Sequence, residues 1–184
     1  MGWEADVLLW IQDNIRNPIL TPITKLFALI GNHGEFSIAV ALLFMIWPKY
    51  RKQGYVIAIS LASSALVSGL IKHIVGRTRP YNAIDGLEPL VSKLSDSSFP
   101  SGHSSAAFGC MFVVFLLLPK RYGIPALCYS IFMALSRLYL GVHYPTDVIA
   151  GTLLGIFFAV VTTTVYKKKF APALPAEELG KDNE

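Results

Sequence analysis

The chain has 184 residues, of which 53% are hydrophobic and only 15% are charged, and its formal net charge is +4. A soluble domain of this length usually carries about 25% charged residues. The composition therefore excludes a soluble globular protein, a disordered chain and a charged coiled coil, and it favours an all-α integral membrane protein.

The first quarter of the chain predicts a surface helix followed by two short apolar segments. In residues 3–16, Trp10 and other apolar side chains share one helical face and Glu4 lies on the opposite, polar face. This pattern is typical of a helix that lies in the membrane interface. Apolar segments then cover residues 19–31 and 36–47, both short for a span of about 20 residues.

Four later segments are longer, and we expect them to complete a bundle of six transmembrane helices. They cover residues 54–75, 102–118, 122–140 and 146–166. The one long polar stretch, 76–101, contains four apolar residues at helical spacing that predict a short amphipathic lid helix: Leu87, Leu90, Val91 and Leu94. We expect a single domain over residues 1–170 and a disordered cytoplasmic tail over 171–184.

The placement of basic residues predicts the orientation of the bundle. Clusters at 49–52, 120–121 and 167–169 each adjoin the end of an apolar segment. The positive-inside rule places such clusters in the cytoplasm. With six alternating helices, both termini are then cytoplasmic and the 76–101 connection lies outside. No basic stripe with interleaved aromatic residues is present, so we expect the partners to be a lipid substrate and the bilayer, with no nucleic acid.

Polar residues cluster at the outer ends of three predicted helices, where burial in a membrane makes them costly. By the expected topology all of them face the same interface. The three groups are Lys72 with Arg79, then Ser101 with Gly102 and His103, then Arg137 with His143 and Asp147.

This set of side chains supports phosphoryl transfer. The three cations can grip phosphate oxygens, and Ser101 occupies an N-cap position from which free backbone N–H groups point at an anion. Asp147 can orient His143 as a nucleophile, which leaves His103 to protonate the leaving oxygen. Taken singly, these residues are often membrane anchors, helix caps or structural histidines. A zinc site is disfavoured because no HExxH pattern accompanies the histidines.

The three groups resemble the signature motifs of the type 2 phosphatidic acid phosphatase family, within the vanadium-haloperoxidase-like superfamily. The matching patterns are Lys72-x6-Arg79-Pro80, then Pro100-Ser101-Gly102-His103, then Ser136-Arg137-x5-His143-x3-Asp147. The resemblance implies that His143 forms a phosphohistidine, that Asp147 orients it and that His103 is the proton donor. It also implies five phosphate-binding residues and no metal ion or other cofactor: Lys72, Arg79, Ser101, Gly102 and Arg137.

Small bacterial members of this family suggest a lipid phosphatase acting at the outer leaflet. The implied substrates are phosphatidylglycerophosphate, phosphatidic acid or undecaprenyl diphosphate. Gly102 favours a general lipid-phosphate phosphatase over a dedicated undecaprenyl-diphosphatase. A lipid phosphotransferase is a further alternative, whereas a vanadate haloperoxidase and a transporter fit the short, apolar chain less well. Two alternatives stay open for each of three further polar residues: His33 and Glu35 either touch a headgroup or solvate a turn, and Arg77 is either a further phosphate contact or an interfacial charge.

Overall fold

The computed structural model describes residues 2–31 and 34–170, and these residues form seven α-helices joined by turns and one long connector. The helices are α1 (Trp3–Asn14), α2 (Leu20–Ile30), α3 (Glu35–Ile46), α4 (Arg51–Val75), α5 (Gly102–Leu117), α6 (Lys120–Tyr139) and α7 (Pro145–Phe170). No strand occurs among the described residues, which agrees with the expected all-α class. The predicted tail over 171–184 and His33 lie outside the described residues.

Helix α5 is the centre of the bundle and packs against α4, α6 and α7. Its approach to α7 is close because α7 presents glycines to it. A Cβ at Gly155 would lie 2.6 Å from the carbonyl oxygen of Ser105, and one at Gly151 would overlap the carbonyl oxygen of Ser101. Since both contacts involve the first turns of α5, the glycines hold the N-terminal ends of α5 and α7 side by side.

The sides of the bundle carry large apolar residues that face outward. Ile74 and Leu153 are 83% and 61% exposed, whereas Ile57 and Val113 are fully buried between helices. Such a surface suits lipid rather than water. Among the described residues, the stretches Pro48–Asn82 and Pro145–Phe170 are long and apolar enough to cross a membrane, and α2 with α3 add a third candidate if they form one bent span.

Helices α2 and α3 together run from one end of the bundle to the other. At the start of α2, Thr21 Oγ1 lies 2.8 Å from Tyr139 Oη at the C-terminal end of α6. At the end of α3, the backbone of Met45 meets Gly54 in the first turn of α4. These places are opposite ends of the bundle, because α4 and α6 both end beside the 76–101 connector.

The described residues do not confirm six separate spans, and α2 and α3 are the shortest of the apolar segments. With 11 and 12 residues, the two helices are about 17 and 18 Å long at 1.5 Å per residue, against a hydrocarbon core of about 30 Å.

Helix α1 also lies at the connector end, where Gln12 Nε2 donates to the carbonyl of Gly86 over 2.9 Å. Phe170 lies at the other end, beside Lys52. Within the described residues, Gln12 and Phe170 therefore lie at opposite ends of the bundle.

The predicted lid helix over residues 87–94 is wrong. This part of the connector has no helical turn, and the connector contains only a short 3₁₀ turn at Pro80–Asn82. Its backbone groups bond to other elements: Leu90 N donates to the carbonyl of Leu140 over 3.0 Å, and Leu94 N donates to Tyr81 Oη over 2.9 Å. Pro89 also disfavours helical geometry at the residue before it. The apolar spacing reflects packing of an extended segment on α6.

Candidate active site

A cavity of about 500 Å³ opens at the connector end of the bundle, between α4, α5 and the turn that precedes α7. Five residues singled out from the sequence line it: Lys72, Arg79, Gly102, His103 and His143. Ser101 and Asp147 are fully buried behind this lining. The structure thus gathers residues from four separate parts of the chain around one space.

His143 and Asp147 form a pair at the start of α7. His143 lies in the turn before the helix, and Asp147 lies in its first turn, as the position of Pro145 suggested. Asp147 Oδ2 lies 3.5 Å from His143 Nδ1 and accepts hydrogen bonds from Tyr144 N (2.9 Å) and Ser98 Oγ (2.5 Å). His143 Nε2 lies 3.4 Å from Arg79 Nη1. The ring is therefore fixed with Nε2 on the cavity side.

Burial keeps His143 uncharged. Its side chain is almost fully buried, and burial lowers its pKa from the usual 6.5 to about 4, with Arg79 also lowering it and Asp147 acting in the opposite direction. At neutral pH the ring is neutral. A neutral imidazole that donates from Nδ1 has a free electron pair on Nε2, which is the form a nucleophile needs.

Lys72 and Arg79 face each other across the mouth of the cavity and share one carboxylate. Asp96 Oδ2 lies 2.9 Å from Lys72 Nζ, and Asp96 Oδ1 lies 2.5 Å from Arg79 Nη2. Burial raises the pKa of Asp96, but the two cations outweigh this effect and bring it down to about 2. The carboxylate is half exposed and lies where the cations converge. It stands in for an anionic ligand, and sequence reasoning missed it.

The N-terminal end of α5 supplies the third wall of the cavity. Ser101 is the N-cap, as predicted: its Oγ accepts from Ser104 N, and its own N–H donates to the carbonyl of Asp147 over 3.0 Å. His103 lies in the first turn, and its buried Nε2 has no hydrogen-bond partner among the described residues. A buried ring nitrogen without a hydrogen-bond partner, in the same cavity as Lys72 and Arg79, can form a hydrogen bond to an oxygen atom of a ligand.

Arg137 does not line the cavity. Its guanidinium is buried in the last turn of α6 and donates to Ser136 Oγ from both Nε (3.1 Å) and Nη2 (2.9 Å). Its carbonyl oxygen accepts from Val142 N, which helps to shape the turn that carries His143. Arg137 is thus a buried positive charge behind the cavity rather than part of its surface.

Arg77, which the sequence left open, bonds to Asp147. Its Nη1 lies 2.6 Å from Asp147 Oδ1, and its Nη2 lies 2.6 Å from Glu4 Oε2 on α1. Glu4, on the predicted polar face of α1, therefore contacts Arg77. Glu35 is exposed at the start of α3 and does not line the cavity. Glu4 and Asp96 are visible in the sequence as acidic residues, but each lies at least 17 residues from the arginine that it meets.

Comparison with known proteins places this site in a family. Residues 53–171 match the family described as the PAP2 superfamily. The chain is 37% identical over 109 residues to a lipid A 1-phosphatase from Rhizobium etli, covering 57% of this chain and 47% of that protein. It is 30% identical over 165 residues to a decaprenylphosphoryl-5-phosphoribose phosphatase from Mycobacterium tuberculosis, covering 88% and 90% of the two chains. The chain spans about half the length of several of its relatives.

A solved structure supports the fold. The crystal structure of Aquifex aeolicus LpxE superposes with a TM-score of 0.80 at 22% sequence identity, over 89% of this chain and 96% of that one. At this identity the likeness concerns the fold alone. The family match covers α5, α6, α7 and nearly all of α4, and with them the cavity described above. The chain therefore belongs to the PAP2 superfamily.

Proposed function

We propose that the chain is a membrane lipid phosphatase that hydrolyses a phosphate ester of a lipid through a phosphohistidine. The observation that carries the proposal is the fixed orientation of His143, with Nδ1 on Asp147 and Nε2 beside Arg79 at the cavity. A histidine held in this way, next to two cations that already bind a carboxylate, has the arrangement needed to attack phosphorus.

In the first step, the phosphoryl group replaces Asp96 between Lys72 and Arg79. The Nε2 electron pair of His143 forms a bond to phosphorus as the bond from phosphorus to the lipid oxygen breaks. The proton that the bound phosphate monoester carries passes to His103, and His103 gives it to that oxygen, so the lipid leaves as an alcohol. The cations and the first N–H groups of α5 stabilise the extra negative charge on the phosphoryl oxygens.

In the second step, water attacks the phosphohistidine. His103, now neutral, takes a proton from the water as the oxygen–phosphorus bond forms. The bond between phosphorus and Nε2 breaks, inorganic phosphate leaves, and both histidines return to their starting states. Asp147 keeps His143 in one tautomer throughout. Side-chain cations supply the charge stabilisation, so we propose that no metal ion takes part.

An apolar cavity beside the polar one supports a lipid substrate. It has a volume of about 310 Å³ and lies between α3, α4 and α5. Gly34, Ala65 and Ala106 line both cavities, so the two spaces are adjacent. Ile38 and Leu61 are among its other walls. A molecule with a phosphate at the polar end and a hydrocarbon chain at the other matches this pair, whereas a small water-soluble phosphate would leave the apolar part unfilled.

For the membrane arrangement we propose five crossings, with α2 and α3 forming one broken span and α4, α5, α6 and α7 the others. The basic clusters at 49–52, 120–121 and 167–169 then share the cytoplasmic end, and the cavity faces the outside. Helix α1 lies on the outer side, in the plane of the membrane surface.

Cysteine labelling tests this arrangement. In a background with Cys110 and Cys128 replaced by serine, single cysteines are placed at Gly2, Ser95 and Lys168. An impermeant thiol reagent applied to intact cells should label the first two and not the third. Labelling at Ser95 without labelling at Gly2 would favour six crossings, and labelling at Lys168 alone would reverse the orientation.

Phosphate release from a panel of substrates tests the activity. The purified protein is given lipid monophosphates, a polyprenyl diphosphate and an aryl phosphate, with and without excess chelator, beside the His143→Ala variant. We expect release from lipid monophosphates that survives the chelator and is absent from the variant. Release from the diphosphate alone would identify a dedicated diphosphatase. Transfer to added glycerol in place of phosphate release would identify a phosphotransferase, and no turnover of any substrate would refute the proposal.

A further inference from the structure

Glu4 on α1 is connected to Asp147 through a chain of short polar contacts. Arg77 Nη2 lies 2.6 Å from Glu4 Oε2, and Arg77 Nη1 lies 2.6 Å from Asp147 Oδ1. The other Glu4 oxygen, Oε1, accepts from both Thr146 N (3.1 Å) and Thr146 Oγ1 (2.7 Å). An N-terminal helix is thus tied directly to the first turn of α7, which carries the orienting carboxylate.

The two oxygens of Asp147 are held in different ways. Oδ2 is the oxygen next to His143 Nδ1, and it also accepts from Ser98 and from the backbone of Tyr144. Oδ1 has a single partner among the described residues, Arg77. The Arg77 contact therefore adds a restraint on the rotation of the carboxylate about its last side-chain bond, beyond the two hydrogen bonds that hold Oδ2. Without it, Oδ1 has no partner among the described residues, and the plane of the carboxylate can turn about Oδ2, which weakens the alignment of Oδ2 with Nδ1.

Arg77 itself needs support because arginine is one of the most flexible side chains. Three groups hold it: Glu4 at Nη2, Thr146 Oγ1 at Nη1 over 2.7 Å, and the Tyr144 ring, whose centroid lies 3.9 Å from the guanidinium carbon. Only Glu4 among them carries a charge. Its pKa lies below the usual value, because hydrogen bonds from Thr146 and Arg77 outweigh the effect of burial, so it is ionised at neutral pH.

We propose that Glu4 and Arg77 are positioning residues, which together hold Asp147 so that neutral His143 keeps its proton on Nδ1 and presents Nε2 to phosphorus. The inference rests on the proposed function for its catalytic consequence, but the geometry of the His143 ring is a property of the protein alone. Helix α1 lies outside the matched residues 53–171. An element beyond the family match therefore completes the alignment of the nucleophile.

Kinetics on a lipid monophosphate form the first part of the test. Arg77→Gln should lower kcat by about 10- to 100-fold, the size expected when a reacting group is misplaced by about 1 Å. Arg77→Lys should recover part of this loss, and Glu4→Gln should lower kcat by about 3- to 10-fold. KM should stay nearly constant because neither residue touches the substrate. In the double variant the Glu4 effect should shrink, since Glu4 acts through Arg77.

Gln12→Ala is the matched control. Gln12 also joins α1 to the connector, through the carbonyl of Gly86 and the N–H of Glu88, but it makes no contact with Asp147 or Arg77. If Gln12→Ala and Glu4→Gln cause equal losses, α1 acts only by docking and the proposal fails. It also fails if the Glu4 effect is undiminished when Arg77 is already glutamine.

Nitrogen-15 NMR of the labelled histidines is the second part, and it does not depend on catalysis. In the native protein His143 should show the tautomer protonated at Nδ1. Glu4→Gln and Arg77→Gln should shift it toward a mixture with the Nε2–H form, as Asp147→Asn does more completely, whereas Gln12→Ala should not. If the native protein has no phosphatase activity but the variants still shift the His143 tautomer in this way, the proposed function is refuted and the positioning role of Glu4 and Arg77 stands. An unchanged tautomer in folded Arg77→Gln protein would overturn the inference.

Discussion

The two sides of the cavity differ in how far their polar side chains already have protein partners. On one side, His143 and Asp147 are almost fully buried, and every oxygen of the carboxylate already has a partner. On the other side, Lys72 and Arg79 hold the exposed carboxylate of Asp96, and His103 Nε2 has no partner in the described part of the chain. His143 and Asp147 are thus preorganised for the proposed attack, whereas Lys72 and Arg79 are held by a carboxylate that the substrate displaces in the proposed function.

This contrast predicts that variants on the two sides fail in different ways. Losses on the His143 side should not depend on the substrate, because the same bond to phosphorus forms each time. Changes on the side of Lys72 and Arg79 should have one of two effects. They should alter the affinity of the site for an anion, or they should lower kcat by an amount that depends on the leaving group. Four predictions follow from that difference, in order of decreasing effect.

The largest effect is expected for His143→Ala. Removing the nucleophile should lower kcat by at least about 10³-fold on lipid and aryl phosphates alike, and no acid-labile phosphoenzyme should be trapped by rapid quench. Asp147→Asn should lose about 10²- to 10⁴-fold, also on both substrates, because the ring loses its preferred tautomer. If a phosphoenzyme still forms in His143→Ala, the nucleophile is another residue.

His103→Ala should separate substrates by their leaving groups. On a lipid monophosphate the leaving alkoxide needs a proton, so kcat should drop by about 10²- to 10⁴-fold. A nitrophenolate leaves without one, and the loss should be clearly smaller. Burst kinetics with both substrates provide the measurement. Equal losses on the two substrates would mean that His103 mainly binds phosphate.

Asp96→Asn should strengthen anion binding. With the competing carboxylate removed, vanadate and phosphate should bind about 3- to 10-fold more tightly, in line with about 1 kcal/mol for a partly exposed ion pair. Inhibition constants for vanadate provide the measurement. Asp85→Asn is the control, because it makes the same charge change at an exposed connector position. Weaker binding in Asp96→Asn would show that the carboxylate preorganises the cations instead.

The smallest effect concerns stability in acid. The pKa of His143 is about 4 in the folded protein and 6.5 in its ordinary state, so between these values the unfolded chain binds a proton that the folded one does not. Folding stability should therefore decrease as pH falls from 6.5 toward 4, by at most about 1.4 kcal/mol per pH unit from this group.

Thermal unfolding in detergent at pH 7 and pH 5 measures this effect. The decrease in Tm between the two should be smaller in His143→Gln than in the native protein. His73→Gln, at an exposed position of α4, is the control. Equal decreases in all three proteins would show that His143 gains its proton in the folded state at higher pH.

Local chemistry explains what could be predicted from the sequence. The bounds of α4, α6 and α7 follow from apolar length and basic ends, and the cap at Ser101 follows from its place before a helix. The placement of His143 four residues before Asp147, across a proline that begins a helix, brings the two side chains onto one turn whatever the rest of the fold does. These features depend on residues close together in the chain.

What the sequence could not supply depends on contacts between distant segments. The lid helix was wrong because hydrogen bonds to Leu140 and Tyr81 outweighed a weak apolar periodicity in the connector. The number of membrane crossings depends on where α2 and α3 pack. Two short apolar segments have the same sequence pattern whether each crosses the membrane separately or both form one crossing.

The sequence by itself determined the membrane class, the helical make-up and the residues with the chemistry for phosphoryl transfer, because composition and short-range spacing carry that information. Only the tertiary structure decided that Asp96 occupies the cation pair, that Arg137 lies behind the cavity, and that Glu4 reaches Asp147 through Arg77. The first and the last of these are meetings of charges separated by 17 to 73 residues in the chain. Such meetings depend on how whole helices pack, and no local pattern of residues records them.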